Sequence, residues 1–402
     1  MPSEPADAPV TPAPPPDLPE GVPPLRSFYI YLSSGCNLRC RHCWIVPRFI
    51  DGKPDPGDCV DVDSLREAVR EGKTLGLGSA KLTGGEPMLH PRFLEVVDLL
   101  TAEGLSLLME TNGTLLTAET ARHLKDKTRV TFVSVSLDGS DARTHDAFRN
   151  VKGAFDAALK GLSHLADAGF KNTQVIMSVH RGNRAQVEPV VLLAAERGAA
   201  SVKLNPVTRT GRGITMHERG EALDFDETME LARYVDEDLH PRAPVGVILN
   251  IPPALSSRRR LGRSGGSCGD CGVLGILGIL GTNRYALCGI GSTCPELTYG
   301  QLGKDSVRDI WLNNPTVLRL RRALADPDSF PGICARCIFA RVCRTGCVAD
   351  NYVQSGQLVA PRPLCAEAVR RGLFPPARAQ RRAGSPGGVD SGARVGGEEG
   401  IS

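Results

Sequence analysis

The sequence has no marked excess of charge of either sign. Its 48 Lys and Arg stand against 45 Asp and Glu, a formal net charge of +3 over 402 residues. A nucleic-acid binder normally shows a strong basic excess, so no nucleic-acid partner is expected. A secretory signal is also missing. The N-terminus, MPSEPADAPVTPAPPPDLPEGVPP, has neither a basic start nor an apolar stretch. No run is long enough to span a bilayer, which needs about 20 apolar residues. The longest candidate, GVLGILGILG, is far shorter and broken by glycines. No membrane association is expected, and the expected setting is a reducing cytoplasm, which disfavours disulfides.

Against those absences, thirteen cysteines is a large number. In a reducing compartment, clustered cysteines more often bind metal or do redox chemistry than pair with one another. The hydrophobic fraction of 41% and charged fraction of 23% are ordinary for a soluble globular protein. The length allows two domains.

Residues 1–25 are rich in Pro and Ala and cannot bury enough apolar surface to fold. Residues 373–402 end in a Gly, Arg and Ser-rich stretch and read as a disordered tail. Between them, β-type runs alternate with helical patterns. Strands are expected at Ser27–Leu32, Ala80–Thr83, Ser106–Thr111, Val130–Leu137, Gln174–Val179 and Ser201–Asn205. Helices are expected at Asp63–Leu75, Pro91–Glu103, Ala118–Lys125, Ala154–Ala168, Arg184–Arg197 and Asp226–Asp238. Asp63 and Thr117 stand where N-caps belong, and Gly76, Gly104, Gly169 and Gly198 where helices stop. This alternation implies an α/β fold with a parallel sheet and helical crossovers. Six units are too few for a closed eight-fold barrel, so a partial, open barrel over 26–251 is expected. Residues 252–267 read as a linker, with the Arg258–Arg260 run on a solvated loop. Residues 268–372 hold nine of the thirteen cysteines and read as a second, metal-organised domain.

Cys36, Cys40 and Cys43, spaced C-x3-C-x2-C, directly follow the first expected strand, where barrel folds place their chemistry. Three thiolates fall short of the four protein ligands of a closed zinc site, unless His42 completes one. On a four-iron cluster they leave one iron open for an outside ligand.

With GGEP and SLDG further along, this region resembles the radical S-adenosylmethionine (SAM) superfamily over about residues 27–250. The resemblance implies a catalytic [4Fe–4S] cluster on Cys36, Cys40 and Cys43. It implies that Gly84, Gly85 and Glu86 contact the SAM amino group. Ser136 and Asp138 match positions that bind the SAM ribose, and Arg149 matches an arginine that pairs with the SAM carboxylate. The implied chemistry is reductive cleavage of SAM to methionine and a 5′-deoxyadenosyl radical, which takes a hydrogen atom from the substrate. An external one-electron reductant of flavodoxin or ferredoxin type is implied as well.

Cys334, Cys337, Cys343 and Cys347 follow the spacing C-x2-C-x5-C-x3-C, with Cys365 after them. Alone, such a set also suits zinc. Next to a radical SAM core it resembles the SPASM extension, which implies two auxiliary [4Fe–4S] clusters. One would use Cys334, Cys337, Cys343 and Cys365. The other would use Cys271, Cys288 and Cys347, with Cys268, Cys294 or nothing as fourth ligand and Cys268 preferred. Asn283 stands where the family usually has glycine, and tolerates the same left-handed backbone. Cys59 is left over.

SPASM relatives act on peptides and proteins. The segments YIYLSSGCNLRCRHCW and LCGIG are most similar to ribosomal-peptide maturases of the SynChlorMet-cassette or thioether-forming type. The partner implied is a ribosomally made precursor peptide, crosslinked through a thioether or carbon–carbon bond. The alternatives are a sulfatase-maturase-like enzyme that makes formylglycine, and a non-catalytic zinc or iron–sulfur electron-transfer protein.

Overall fold

The computed structural model describes residues 17–47, 49–50, 53–262 and 272–380. The six expected strands form as β1 (Ser27–Tyr31), β2 (Ser79–Thr83), β3 (Ser106–Thr111), β4 (Val130–Ser136), β5 (Thr173–Val179) and β6 (Ser201–Pro206). They pair in parallel in that order. A seventh parallel strand, β7 (Gly246–Leu249), continues the sheet beyond β6. On the opposite edge β8 (Ile276–Leu280) pairs in parallel with β1. Strands β9 (Arg284–Ala286) and β10 (Thr298–Gln301) then follow antiparallel, making one sheet of ten strands. The sheet stays open, because its end strands β10 and β7 are not paired with each other.

The crossovers are helices whose apolar stripes cover the sheet. In α1 (Val62–Lys73) the buried residues Val62, Leu65, Ala68, Val69 and Gly72 recur at helical spacing. Gly72 lets the helix pack closely, since a Cβ would lie 2.9 Å from the end of the Leu77 side chain and 3.1 Å from the Phe28 ring. The cap of α1 is Asp61, whose carboxylate accepts from the Ser64 N–H at 2.8 Å; Asp63, expected as the cap, sits in the first turn. Both are acids before an apolar stripe, so the sequence signal serves either position. Thr117 caps α3 (Ala118–Lys127) as expected. The helices α2 (Phe93–Ala102), α5 (Ala154–Asp167) and α6 (Val187–Glu196) follow β2, β4 and β5. Between β4 and α5 lies an additional helix, α4 (Ala142–Arg149). Where one helix was expected after β6 there are two, α7 (Gly213–Glu218) and α8 (Phe225–Tyr234).

The Arg258–Arg260 run departs from its expected solvated loop. Arg260 is buried in the helical turn Arg258–Leu261. Its guanidinium pairs with Asp236 at 2.7 Å and donates to the carbonyls of Leu249 and Ala232. A buried cation must be paired this way, and Asp236, 24 residues earlier, could not be linked to it by local pattern.

The C-terminal segments are tied to the core. Glu71 of α1 accepts from the Val307 and Arg308 N–H groups at 2.8 and 3.1 Å, capping α9 (Val307–Asn313). The Trp311 indole donates to the Pro23 carbonyl at 2.9 Å. No helix among the described residues is long and apolar enough to cross a membrane.

Candidate active site

The loop after β1 is pinned on two sides. From the β2 end, Gly85 N–H donates to the Ser33 carbonyl and Glu86 N–H to the Gly35 carbonyl, both at 3.0 Å. From the α4 end, the carbonyls of Arg149 and Phe148 accept from Arg39 and Arg41 N–H groups. The approach is so close that a Cβ on Gly85 would lie 1.8 Å from the Gly35 oxygen. Gly84 has φ +138°, which suits glycine alone. The GGE turn therefore does steric work that no other residue type could do.

Cys36 and Cys40 are each 6% exposed and Cys43 is half-buried. Burial raises the Cys36 thiol well above its ordinary pKa, and the Glu86 carboxylate and the two neighbouring thiols add to this. Burial raises Cys40 too, although the Arg149 guanidinium opposes it. All three cysteines face one cavity of about 640 Å³ at the C-terminal ends of the strands. Gly84, Gly85, Ser136 and Arg149 line it with them.

Glu86 and Asp138 do not line that cavity. Glu86 is fully buried, and its carboxylate accepts from Thr111 Oγ1 at 2.7 Å and Asn112 N–H at 2.8 Å. Burial pushes its pKa up to about 7, against the pull of those donors. Its side chain locks the end of β3 to the cysteine loop. Asp138 is also fully buried; its Oδ1 accepts from Ser178 N–H and its Oδ2 lies 2.5 Å from Arg149 Nε. That contact lies off the N–H direction, so it is an ion pair rather than a linear hydrogen bond. Burial alone would raise the Asp138 carboxyl, but Arg149, with His42 and His145, outweighs it and holds the pKa below its ordinary value. Arg149 places Nη1 3.4 Å from Cys40 Sγ.

His42 also lines the cavity, and its ring stacks on Phe148, which stacks in turn on His180. Burial pushes its pKa down to about 4, so it is neutral near pH 7. Its Nε2 lies 3.1 Å from Ser178 Oγ, while Nδ1 is buried without a hydrogen-bond partner. Asn205 Oδ1, on the same cavity wall, is likewise buried and unpaired. Such orphan atoms mark places where a polar ligand completes the site. Ser178, Lys203 and Asn205 were not among the sequence-derived candidates. Ser178 and Asn205 stand next to last in their strands, and that place was the available signal; Lys203 is mid-strand and offered none.

The same cavity is lined by Cys288 and Cys347. Cys294 is near enough to Cys288 to raise its thiol further, although burial is the main cause, and the Cys288 pKa reaches about 12. Cys334, Cys337, Cys343 and Cys365 surround a second, much smaller cavity. Burial pushes both Cys334 and Cys365 up to about 12. Cys268 and Cys271 lie outside the described residues. Cys59 bridges to Ser33 away from both cavities, and Asn283 adopts the left-handed backbone with φ +57°. Among the described residues no three His, Cys, Asp or Glu side chains converge on a single metal ion.

Comparison with known proteins agrees with this geometry. The radical SAM superfamily model matches residues 30–194. The AdoMet-dependent heme synthase of Methanosarcina barkeri is 29% identical over 344 residues, covering 83% of this chain and 94% of the relative. The mycofactocin maturase MftC of Mycobacterium tuberculosis is 30% identical over 369 residues, 87% of this chain and 84% of that one. Among solved structures, Streptococcus suis SuiB bound to precursor peptide SuiA superposes with a TM-score of 0.64. It covers 86% of this chain and 76% of SuiB, and at 16% identity the likeness is one of fold. Its cysteine loop, its sheet and its match to relatives along most of their length make this chain a member of the radical SAM superfamily, an enzyme that uses SAM and a [4Fe–4S] cluster.

Proposed function

We propose that the chain is a radical SAM/SPASM enzyme that abstracts hydrogen from a ribosomally made peptide and closes a thioether or carbon–carbon crosslink. The observation that carries this reading is one cavity lined by Cys36, Cys40 and Cys43 and also by Cys288 and Cys347. Its volume is within the roughly 300–1,000 Å³ of small-molecule sites. The relatives named for peptide maturation support the substrate class.

Cys36, Cys40 and Cys43 hold the catalytic cluster, which supplies one electron for SAM cleavage when bound. Ser136 and the Gly84–Gly85 backbone face SAM, and Arg149 presents a fixed cation beside them. Asp138 acts through Arg149, holding its guanidinium against the cavity wall. Glu86 acts through Thr111 and Asn112, holding the loop that orients the cysteines. Cys334, Cys337, Cys343 and Cys365 hold one auxiliary cluster; Cys288 and Cys347, with Cys271 and Cys268, hold the other.

Mass spectrometry of a precursor peptide co-expressed with the enzyme tests the reading. A loss of two mass units per crosslink is expected. An unmodified peptide alongside active SAM cleavage overturns the peptide assignment. A second reading, haem synthesis, rests on the identity to the Methanosarcina barkeri protein across 94% of its length. Haem formed from a porphyrin precursor, with no change in the peptide, would favour it. Formylglycine formation would appear instead as conversion of a single Cys or Ser on a sulfatase.

A further inference from the structure

The strand β6 reads S-V-K-L-N-P, and its burial alternates to match. Val202 and Leu204 are fully buried in the core. Lys203 and Asn205, at the alternate positions, line the large cavity. The polar lining continues into the following loop through Thr208, Arg209 and Thr210. That loop is fastened to the cysteine loop. Arg212 N–H donates to the Cys43 carbonyl and Arg212 Nη1 to the Cys40 carbonyl, both at 3.0 Å. A Cβ on Gly211 would lie 2.4 Å from Trp44 Cα. Whatever this segment binds is therefore held in the cavity that Cys36, Cys40 and Cys43 also line.

Lys203 is half-buried, and among the described residues its ammonium makes no hydrogen bond and no ion pair. A lysine turned inward normally finds a carboxylate, because an unpaired cation away from water costs free energy. The carboxylates lining the same cavity are already engaged: Glu110 pairs with Lys81 at 3.2 Å, and Asp350 accepts from Gln354 at 2.8 Å. Other cations of the lining have partners too. Arg149 pairs with Asp138, and Arg362 donates to Asn250 Oδ1 at 3.2 Å. Two positions beyond Lys203, Asn205 Oδ1 is buried with no donor. The exposed Arg209 adds a second cation without an ion pair among the described residues.

This wall asks for two things at once: an anion at Lys203 and an N–H donor at Asn205. A ribosomal peptide carries both without further modification, since its anions are carboxylates and its backbone supplies N–H groups. SAM has a carboxylate as well, but Arg149, 3.4 Å from Cys40 Sγ, is the cation that the resemblance gives to it. We propose that Lys203 and Asn205 form a substrate subsite, in which Lys203 pairs with a carboxylate of the molecule acted on and Asn205 accepts a neighbouring N–H. That this molecule is a peptide rests on the reading under Proposed function. The subsite selects which part of the substrate is presented in the cavity.

The test acetylates the lysines of the cluster-loaded, SAM-bound enzyme with an N-hydroxysuccinimide ester and reads each site by mass spectrometry. The exposed Lys127 and Lys152 serve as internal references. The probes are pools of short random peptides in four forms: unaltered, amidated at the C-terminus, lacking Asp and Glu, and both amidated and lacking Asp and Glu. The unaltered pool is expected to slow labelling of Lys203 about threefold or more against the references. The pool without any carboxylate is expected to leave it unchanged. Protection that survives amidation assigns the carboxylate to acidic side chains; protection that survives loss of Asp and Glu assigns it to the C-terminus. Lys203→Gln is expected to retain about tenfold less of the unaltered pool than wild type in affinity selection, and Lys203→Arg to recover most of it. Equal protection by the carboxylate-free pool overturns the proposal, as does full protection by SAM alone or none by any carboxylate probe. Protection by a porphyrin carboxylate and by no peptide pool upholds the subsite and overturns the peptide reading instead.

Discussion

Replacing Arg149 with Met is expected to destabilise the metal-free protein by about 3–5 kcal/mol near neutral pH, the usual cost of removing one partner of a buried ion pair. Asp138 has no solvent access, and Arg149 is 7% exposed. After the replacement, the Asp138 carboxylate keeps the Ser178 N–H at 2.7 Å but loses the cation 2.5 Å away. Burial then acts on Asp138 with much less opposition, and its pKa rises. The sign follows. In wild type the depressed Asp138 pKa contributes stability above the unfolded value of about 3.9, lost as pH falls through the folded pKa. In the variant, the ionised carboxylate costs most at high pH, and protonation relieves that cost as pH falls. The gap between the two proteins should therefore be wide at neutral pH and narrow in acid. Urea unfolding followed by far-UV circular dichroism at several pH values measures it. The double variant Asp138→Leu, Arg149→Met, which removes both charges, should recover most of the loss. A single-variant cost below about 1 kcal/mol, or one that does not change with pH, would refute the argument.

Gly85→Ala places a methyl group 1.8 Å from the Gly35 oxygen, so the loop must shift. The variant is expected to take up less iron at the first cluster, read by iron analysis and visible absorption; full iron uptake counts against the steric argument. His145 is buried, with its pKa pushed down to about 4 by burial and then by Arg149, and its Nδ1 accepts from the Asp138 N–H at 3.1 Å. It must stay neutral, so the fold should lose up to about 3 kcal/mol as pH falls from about 6.5 through 4. His145→Gln should flatten that part of the stability profile; an unchanged profile sinks the assignment.

Periodic patterns were the most legible part of the sequence. The six expected strands lie within one residue of their places because each is a short apolar run closed by a turn signal. The strand Gly246–Leu249 was hidden by its brevity, four residues after a Pro-containing loop. The strand Ile276–Leu280 is buried on every residue, and with two glycines nearby it shows no alternation to read. At the site, the cysteine spacing and the GGE turn stood out because geometry restricts the residue types. What the sequence could not convey was direction. Glu86 and Asp138 turn inward to hydrogen-bond and ion-pair partners, while Ser178, Lys203 and Asn205 turn toward the cavity. Those partners lie tens of residues away in the chain, and only the packed sheet brings them together. Arg149 is similar: it sits in a short polar helix, yet Asp138 and Cys40 draw it into the interior.

Cys36, Cys40 and Cys43 are proposed to hold the cluster that cleaves SAM. This is tested most directly by quantifying 5′-deoxyadenosine and methionine after anaerobic reconstitution and reduction. Wild type and the triple variant Cys36→Ala, Cys40→Ala, Cys43→Ala would be compared with their C-terminal cysteines intact. Both products are expected from wild type, none above background from the variant, and about four fewer irons per chain in the variant, one [4Fe–4S] cluster. Products at the wild-type level from the triple variant would contradict the assignment.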